Sequence, residues 1–304
     1  MQYSLREIFV TGVAALLAIA CRGSEGTPPQ SPEAPDGTHS GSGPPNNSTG
    51  STGGTTGSIG GATSGTPTAS GGGDMPRISV QGCGKLTLDT TTVDHAAPGR
   101  IVVLGSSTAE GQRASAPEQA WVARYQTYVT QQFPNFTVEN LGKGGLTTYH
   151  IQADDYAPPA GRPAPIRGNN ITAALAKAPD AIIINLPTND QYEGFSLEEQ
   201  MANYERVAQL AAGDGVLVWV ATTQPRDFSE AAKRQELMAT RDEIQARFTP
   251  KAIDFWTDIA NSDGTIQSIF NAGDGTHLND AGHAVLAQLV TTCAIPEVIV
   301  TSGE

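Results

Sequence analysis

The amino-acid sequence predicts an α/β protein, a three-layer α/β/α sandwich built on a five-stranded parallel sheet. From Arg100 onward, short apolar runs alternate with segments of helical periodicity. This alternation is typical of a parallel sheet with helices on both of its faces. The predicted strands are 101–105, 136–141, 181–186, 216–221 and 252–255.

Helix-start signals lie between these strands and support the same fold class. The first is a capping-box spacing that begins at Ser115, with Pro117 in the first turn, and Pro134 ends this helix. A second capping box begins at Ser196 and opens a helix that stops at Gly213. The predicted helices are 115–133, 196–213, 229–248 and 280–295.

The N-terminal segment indicates export. Arg6 is followed by an apolar run over 8–20 that is too short to span a bilayer comfortably. The run ends in Ala-Ile-Ala-Cys, which resembles the lipobox of bacterial lipoproteins and predicts lipidation of Cys21; a plain secretory signal is the alternative. We therefore expect an exported protein at the outer membrane, in the periplasm or at the cell surface, which touches the membrane only through a lipid anchor.

Composition divides the chain into three segments. Gly, Ser, Thr and Pro dominate residues 22–74, which have almost no large apolar side chains to offset the entropy of ordering. The predicted segments are a signal peptide with lipobox at 1–21, a disordered linker at 22–74 and one folded domain at 75–304.

Cysteine content and net charge narrow the range of possible functions. If Cys21 carries lipid, the other two of the three cysteines, Cys83 and Cys293, are available for a disulfide, which export compartments permit. Two buried free thiols are the alternative, because spacing alone does not prove contact. The absence of CxxC and HExxH motifs leaves a zinc site without support in the sequence. The net charge of −13 argues against a nucleic-acid partner.

Two motifs with catalytic chemistry follow predicted strands. Open parallel sheets bind ligands beyond the carboxyl ends of their strands. After the first strand, the small-residue turn 105–107 can present the Ser107 hydroxyl, which needs a base in order to attack a carbonyl. Near the C-terminus, His277 can take the serine proton, and Asp274, three residues earlier, can orient the ring.

The order and spacing of four sequence blocks resemble those of the SGNH/GDSL hydrolase superfamily, over about residues 100–294. Gly-Ser-Ser at 105–107 matches the first block, Asn-Leu-Gly-Lys-Gly-Gly at 140–145 the second, Pro-Thr-Asn-Asp at 187–190 the third, and Asp-Gly-Thr-His at 274–277 the last. The resemblance implies a flavodoxin-like fold without metal or organic cofactor. It also implies a nucleophile at Ser107 and an oxyanion hole formed by Ser107 N–H, Gly145 N–H and the Asn189 amide.

Two positions depart from the superfamily pattern. Ser106 replaces the usual Asp before the nucleophile, and Pro187 replaces the usual Gly before Thr-Asn-Asp, where it can stiffen the turn that carries Asn189. Two alternatives stay open at this point. The nucleophile could be Ser106, and Asn189 and Gly145 could be turn residues, the latter supplying only a positive φ.

Other polar residues near the motifs are expected to have structural roles. We expect Asn140 and Asp190 to hold their loops by side-chain hydrogen bonds, and His283 to lie on a helix face without a role. Residues 152–170 show neither the helical nor the strand periodicity of apolar residues and are interpreted as a long functional loop. Its Arg162 and Arg167 could meet an anionic sugar, although solvated charges are the favoured interpretation.

The expected function is hydrolysis of carboxylic esters through an acyl-enzyme, with O-acetyl groups on saccharides as the first expected substrate. The partner is then a small-molecule or saccharide ester. The alternatives are an acyltransferase, a lysophospholipase or thioesterase with the same triad, and an inactive surface carbohydrate-binding module.

Overall fold

The computed structural model describes residues 83–84, 93–186 and 188–302. The expectations for the signal peptide, for lipidation of Cys21, for the linker at 22–74 and for Pro187 lie outside the described residues.

A five-stranded, wholly parallel sheet forms the centre of the domain, in the order β2-β1-β3-β4-β5, and confirms the predicted fold class. The strands are β1 Gly99–Gly105, β2 Phe136–Asn140, β3 Ala181–Asn185, β4 Leu217–Ala221 and β5 Ala252–Ile253. The last strand ends two residues before its predicted end, since Asp254 Oδ1 turns the chain by accepting the N–H groups of Trp256 and Thr257 at 2.9 and 3.0 Å.

Helices cover both faces of the sheet because strand side chains alternate in direction. The helices are α1 Ser107–Glu110, α2 Trp121–Gln132, α3 Ile171–Leu175, α4 Asn189–Tyr192, α5 Leu197–Gly213, α6 Ala231–Phe248, α7 Asp280–Thr291 and α8 Ile295–Ser302. Ile101 and Val103 pack with α2, α7 and α8 on one face, and Val102 and Leu104 pack with α3, α5 and α6 on the other.

The prediction of a capping box at Ser115 is wrong. A 3₁₀ turn at Pro117–Gln119 precedes α2, whose N-cap residue makes no side-chain cap bond. The N–H and Oγ of Ser115 instead bond the carboxylate of Asp280 at 2.7 and 2.5 Å, and hydrogen bonds to a charged acceptor are stronger than those of a neutral cap. The capping box of Ser196 and Glu199 is confirmed, with bonds of 3.2 and 2.8 Å.

The C-terminal part of the domain differs from the prediction of one helix that ends before Pro296. The chain forms α7 and then a separate α8, with Pro296 in the first turn of α8. A proline is tolerated there because the N–H it lacks would have no intrahelical partner.

A disulfide joins Cys83 to Cys293, whose Cα atoms are 5.1 Å apart. It links the segment before β1 to the residues just after α7, across a sequence separation of 210. In the chain-entropy account, closing a loop of this length stabilises the fold by about 5 kcal/mol.

Candidate active site

The nucleophile turn is formed by a strand that ends on glycine. A Cβ on Gly105 would lie 2.6 Å from the carbonyl oxygen of Asn185 and 2.5 Å from Ala109 Cβ, so only glycine fits. The chain turns there into α1, whose first residue is Ser107. The backbone N–H of a first helical residue has no intrahelical acceptor. That donor is therefore available next to the Ser107 hydroxyl.

Ser107, His277 and Asp274 form one hydrogen-bonded chain. Ser107 Oγ lies 3.1 Å from His277 Nε2, and His277 Nδ1 lies 2.9 Å from Asp274 Oδ2. Since an ionised Asp274 can only accept, the proton of the neutral ring lies on Nδ1, and Nε2 faces the serine hydroxyl as an acceptor. This is the arrangement in which a serine can lose its proton to an imidazole while it attacks a carbonyl.

Asp274 is held ionised by its surroundings. Partial burial alone would raise the pKa of Asp274, but hydrogen bonds from the backbone and ring of His277 and from the Thr276 N–H outweigh burial and hold it well below its ordinary value. The carboxylate therefore stays charged throughout the neutral range, where it can stabilise an imidazolium.

Two residues that sequence reasoning missed tie the histidine loop to the nucleophile helix. Arg113, in a left-handed backbone conformation with φ of +68°, donates Nε to Asp274 Oδ2 at 3.0 Å. Gln224 accepts from Thr108 Oγ1 at 2.9 Å and donates to the carbonyl of Thr276 at 2.8 Å. Both contacts join loops that are far apart in the sequence, so no local pattern indicates them.

The glycine loop after β2 presents a backbone donor. Gly145 has a φ of +81°, which favours glycine, and in the described part of the chain its N–H has no acceptor. Asn140 braces the loop by donating to the Ala109 carbonyl at 2.7 Å and accepting from the Gly142 N–H at 2.9 Å. Gly144 N–H donates to Glu110 Oε2 at 2.9 Å. Asn140 thus makes the structural contacts expected of it.

The Asn189 amide lies beside the nucleophile turn and already has two acceptors. Nδ2 donates to Ser106 Oγ at 2.7 Å and to the carbonyl of Leu146 at 2.9 Å. A substrate oxyanion would have to displace one of them, and a serine hydroxyl can rotate about its Cα–Cβ bond whereas a backbone carbonyl is fixed by the chain. Ser106 is fully buried and is paired with Asn189 rather than with His277, so the structure brings the base to Ser107.

Asp190 lies next to Asn189 and is almost wholly buried, with 5% exposure. Its carboxylate accepts the N–H of Thr148 at 3.1 Å and the Thr148 hydroxyl at 2.5 Å. Burial raises the pKa of Asp190 to about 6, against the opposing effect of these hydrogen bonds. The contacts hold the segment that follows Gly145, as expected for a loop-bracing residue.

The structure corrects the expectation for His283. Its ring is fully buried, accepts the Trp121 N–H at Nδ1 at 3.3 Å and donates from Nε2 to the Gln112 carbonyl at 3.2 Å. Burial lowers the pKa of His283, so the neutral ring joins α7 to the start of α2.

The two loop arginines both have carboxylate partners. Arg162 forms two bonds to Glu199, at 2.6 and 2.9 Å, and lies over the Phe195 ring. Arg167 is 84% exposed and lies 3.7 Å from Asp154. Arg167 is thus a solvated charge, as expected, whereas Arg162 differs from that expectation because its side chain is only 28% exposed and is held in an ion pair.

A cavity of about 520 Å³ opens beside Gly145. Most of its lining side chains are polar or charged, namely Thr147, His150, Arg162 and Glu193, with Phe195 and Pro163 as apolar walls. Over the described ranges, no group of three or more His, Cys, Asp or Glu side chains is placed to hold a metal ion.

A family model matches the part of the chain that contains these residues. The model of the GDSL-like Lipase/Acylhydrolase family matches residues 103–285. No curated protein gives a significant match.

Several solved structures resemble the chain. One is a two-domain esterase active on acetylated mannans, with 21% identity and a TM-score of 0.47, covering 66% of this chain and 50% of that one. The chain thus spans about half the length of that esterase. Another is the psychrotrophic esterase EstA from Pseudoalteromonas sp., with 16% identity, a TM-score of 0.48 and coverage of 65% and 97%. A lipolytic G-D-S-L protein from Veillonella parvula has 19% identity, a TM-score of 0.48 and coverage of 63% and 96%.

Proposed function

The chain belongs to the GDSL-like Lipase/Acylhydrolase family, and on this premise we propose that it is a serine esterase that hydrolyses carboxylic esters through an acyl-enzyme. The observation that carries the proposal is the unbroken chain from Ser107 Oγ to His277 Nε2 at 3.1 Å and from His277 Nδ1 to Asp274 at 2.9 Å. A serine hydroxyl needs such a base in order to be a nucleophile at neutral pH.

In the first step, Ser107 Oγ bonds the ester carbonyl carbon while His277 Nε2 takes the hydroxyl proton. The negative charge passes to the carbonyl oxygen, near the N–H groups of Ser107 and Gly145 and the Asn189 amide. When the tetrahedral intermediate collapses, the bond to the alcohol oxygen breaks and His277 gives its proton to that oxygen. The alcohol leaves and an acyl-serine remains.

In the second step, water takes the place of the alcohol. His277 accepts a proton from the water as its oxygen attacks the acyl carbon, and then returns the proton to Ser107 as the acid leaves. Asp274 stays ionised in both steps and stabilises the imidazolium that forms each time.

The proposed substrate is a short acyl ester on a hydrophilic alcohol, with O-acetylated saccharides as the first choice. The polar and charged side chains in the lining of the cavity beside Gly145, namely Thr147, His150, Arg162 and Glu193, support this choice. Polar groups in such a wall lose their hydration to an alkyl chain without compensation, and they can hydrogen-bond sugar hydroxyls.

Hydrolysis of p-nitrophenyl acetate and p-nitrophenyl octanoate, with release of acetate from an acetylated oligosaccharide, tests the function and the substrate together. We expect a higher kcat/KM for the acetate and measurable release from the saccharide. A preference for octanoate would point instead to a lipase or thioesterase and would contradict the saccharide proposal.

Labelling tests the nucleophile independently of any natural substrate. An organophosphonate should attach to Ser107, and Ser107→Ala should abolish both labelling and turnover. Ser106→Ala is the matched control, because it removes the adjacent hydroxyl and should keep the label at Ser107. A label on Ser106 would overturn the assignment.

The proposal includes export and anchoring through a lipid on Cys21. The Cys83–Cys293 disulfide supports export, because such bonds persist in oxidising compartments. The full chain should partition with membranes, and Cys21→Ser should be released into the soluble fraction. Identical partition of both proteins would count against lipidation.

A further inference from the structure

Arg226 lies on the segment that follows β4, between two loops of the active site. Its Nη1 donates to Thr188 Oγ1 at 3.3 Å, and Thr188 directly precedes Asn189. On the other side, the N–H of the next residue, Asp227, donates to the carbonyl of Gly275 at 2.8 Å, within the loop that carries the triad acid and base. The guanidinium is therefore held at the carboxyl edge of the sheet, beside the proposed reaction centre.

The charge of Arg226 is not neutralised by a neighbouring carboxylate. No Asp or Glu oxygen of the described ranges lies within 4.0 Å of it. The bond to Thr188 is the one hydrogen bond seen for its guanidinium among those residues. Arg113 and Arg162, the other arginines near the site, both have carboxylate partners at 3.0 and 2.6 Å.

Two aromatic rings hold the guanidinium in place. Its Cζ lies 4.7 Å from the ring centroid of Tyr192 and 4.7 Å from that of Phe228. The side chain is half-buried, and this burial lowers the pKa of Arg226 against the opposing effects of Tyr192 and Asp274. A guanidinium fixed in this way loses little conformational entropy when it binds a planar anion through two parallel hydrogen bonds.

The position of Arg226 relates it to one part of an ester. His277 must protonate the oxygen of the departing alcohol, so the alcohol leaves on the side of His277. The Arg226 segment is bonded to the same loop as His277, whereas Gly145 follows β2, at the other end of the sheet order. A group bound by Arg226 therefore belongs to the alcohol part of the substrate.

We propose that Arg226 binds a carboxylate on the alcohol part of the substrate, so that the enzyme prefers acyl esters of hydroxylated acids such as O-acylated acidic saccharides. The inference rests on the proposed esterase function and specifies its substrate class. Tyr192, which is 59% exposed, offers an adjoining aromatic surface to the same part of the substrate.

A matched pair of substrates tests the charge. 4-Acetoxybenzoate and its methyl ester have the same acyl group and differ in one negative charge on the alcohol part; the 3-isomers vary the position of that charge. In Arg226→Gln, we expect the ratio of kcat/KM values, acid over methyl ester, to fall about tenfold, mainly through KM, as for loss of a hydrogen bond to a charged group.

Lys251→Gln is the matched control. It removes the same charge at the amino edge of the sheet, directly before β5, where the lysine lies 5.6 Å from the Trp219 ring centroid. The ratio should stay at the wild-type value in this variant. An unchanged ratio in Arg226→Gln would overturn the proposal. If kcat/KM then falls equally on both esters, Arg226 only holds the Thr188 turn; if it falls on neither, Arg226 does not contribute to turnover of these substrates.

A charge on the acyl part distinguishes the two ends of the substrate. If Arg226→Gln selectively loses activity on p-nitrophenyl hemisuccinate relative to p-nitrophenyl acetate, the alcohol assignment is wrong.

Binding measurements test the anion site independently of the proposed esterase function. Calorimetric titration of 4-acetoxybenzoate into Ser107→Ala, with and without Arg226→Gln, needs no turnover. About tenfold weaker binding in the double variant, with no such change for the methyl ester, supports the anion site even if wild-type protein hydrolyses neither ester. Equal binding in both proteins contradicts the site even if esterase activity is present.

Discussion

Asp274 lies in a loop and Asp190 in the first turn of α4, both at the same edge of the sheet, yet their surroundings move their pKa values in opposite directions. Asp274 keeps 25% of its side chain exposed, and its hydrogen bonds to His277 and Thr276 hold its pKa below the ordinary value. Asp190 also accepts several hydrogen bonds from Thr148, but burial raises its pKa to about 6. Hydrogen bonds alone therefore do not decide which carboxylate keeps its charge; access to water does.

The difference suits two different tasks. A carboxylate that must stabilise a transient imidazolium has to be charged at every working pH, which Asp274 achieves. A carboxylate that braces a loop needs only acceptors in fixed positions. Asp190 holds Thr148, whose hydroxyl also accepts from Asn203 Nδ2 at 3.0 Å, and so fixes the loop that presents Gly145.

Asp274→Asn should give the largest difference in kcat between variants of the two carboxylates. An amide at this position can turn its NH₂ group toward the ring and favour the wrong histidine tautomer, so kcat should fall about 10³- to 10⁴-fold. Steady-state kinetics on p-nitrophenyl acetate measures the loss. Asp190→Asn, the matched control, should keep kcat within about tenfold, because its contact with the site is indirect. Equal losses in both variants would refute the division of tasks.

Asn189→Ala should give the next largest effect, on the oxyanion rather than on proton transfer. Loss of a side-chain donor should lower kcat by about 10²- to 10³-fold, roughly 3 to 4 kcal/mol, with little change in KM. In the structure, the amide donates to Ser106 Oγ and must exchange that bond for the oxyanion.

Ser106→Ala is the control for Asn189→Ala. It removes the competing acceptor and should leave kcat close to that of the wild type. A kcat for Asn189→Ala within about threefold of wild type would show that Asn189 is structural and that Ser107 and Gly145 serve alone.

The hydrogen-bonded chain of Ser107, His277 and Asp274 could be predicted because the relations among these residues are local or follow from strand order. Asp274 and His277 are three residues apart and share one turn, and Ser107 follows β1, which lies between β2 and β3 in the sheet. Parallel strands bring the ends of distant segments to one edge, so the meeting of His277 with Ser107 follows once the sheet is assigned.

The missed contacts are side-chain pairs between loops, which no periodicity encodes. Ser115 bonds Asp280 across 165 residues instead of capping its own helix, and His283 bonds Gln112 across 171 residues. The position of Arg226 after β4 fits the same strand-end rule as the triad. The sequence does not show that Arg226 lacks a carboxylate partner in the described ranges, because this depends on how the neighbouring loops are placed in three dimensions.

Asp190 should give the protein a pH-dependent stability that Asp190→Asn removes. The pKa is about 6 in the folded state and 3.8 ordinarily, so between these values the native state binds more protons than the unfolded state. The free energy of unfolding should therefore decrease as pH rises through this window, by about 3 kcal/mol in total. Urea unfolding at intervals from pH 4 to pH 7 measures the slope.

Asp274→Asn supplies the opposite sign for comparison. A carboxylate with a lowered folded pKa contributes stability above its ordinary pKa and loses it as pH falls toward the folded value, so this variant should flatten the acid side of the curve. The difference in the free energy of unfolding between wild type and Asp190→Asn isolates Asp190 from the other carboxylates. If this difference does not decrease between pH 4 and pH 6, the raised pKa of Asp190 is contradicted.

Arg113 should give the smallest effect, because its side chain is 60% exposed and solvent screens its ion pair with Asp274. Its Nε shares Oδ2 of Asp274 with His277 Nδ1, so the guanidinium competes for the oxygen that stabilises the protonated ring. In Arg113→Gln, kcat/KM on p-nitrophenyl acetate should therefore stay within about twofold of the wild-type value.

Arg113→Lys keeps the charge and should keep kcat/KM at the wild-type value, and both variants retain a β-carbon at the left-handed φ, so the backbone cost cancels. The difference between the two variants should also shrink in 0.5 M salt, where the screening length is only a few ångströms. A loss of kcat in Arg113→Gln well beyond twofold would mean that Arg113 orients Asp274 more than it competes with His277. The exposed partner of Asp274 would then support the triad much as Thr148 braces the loop through Asp190.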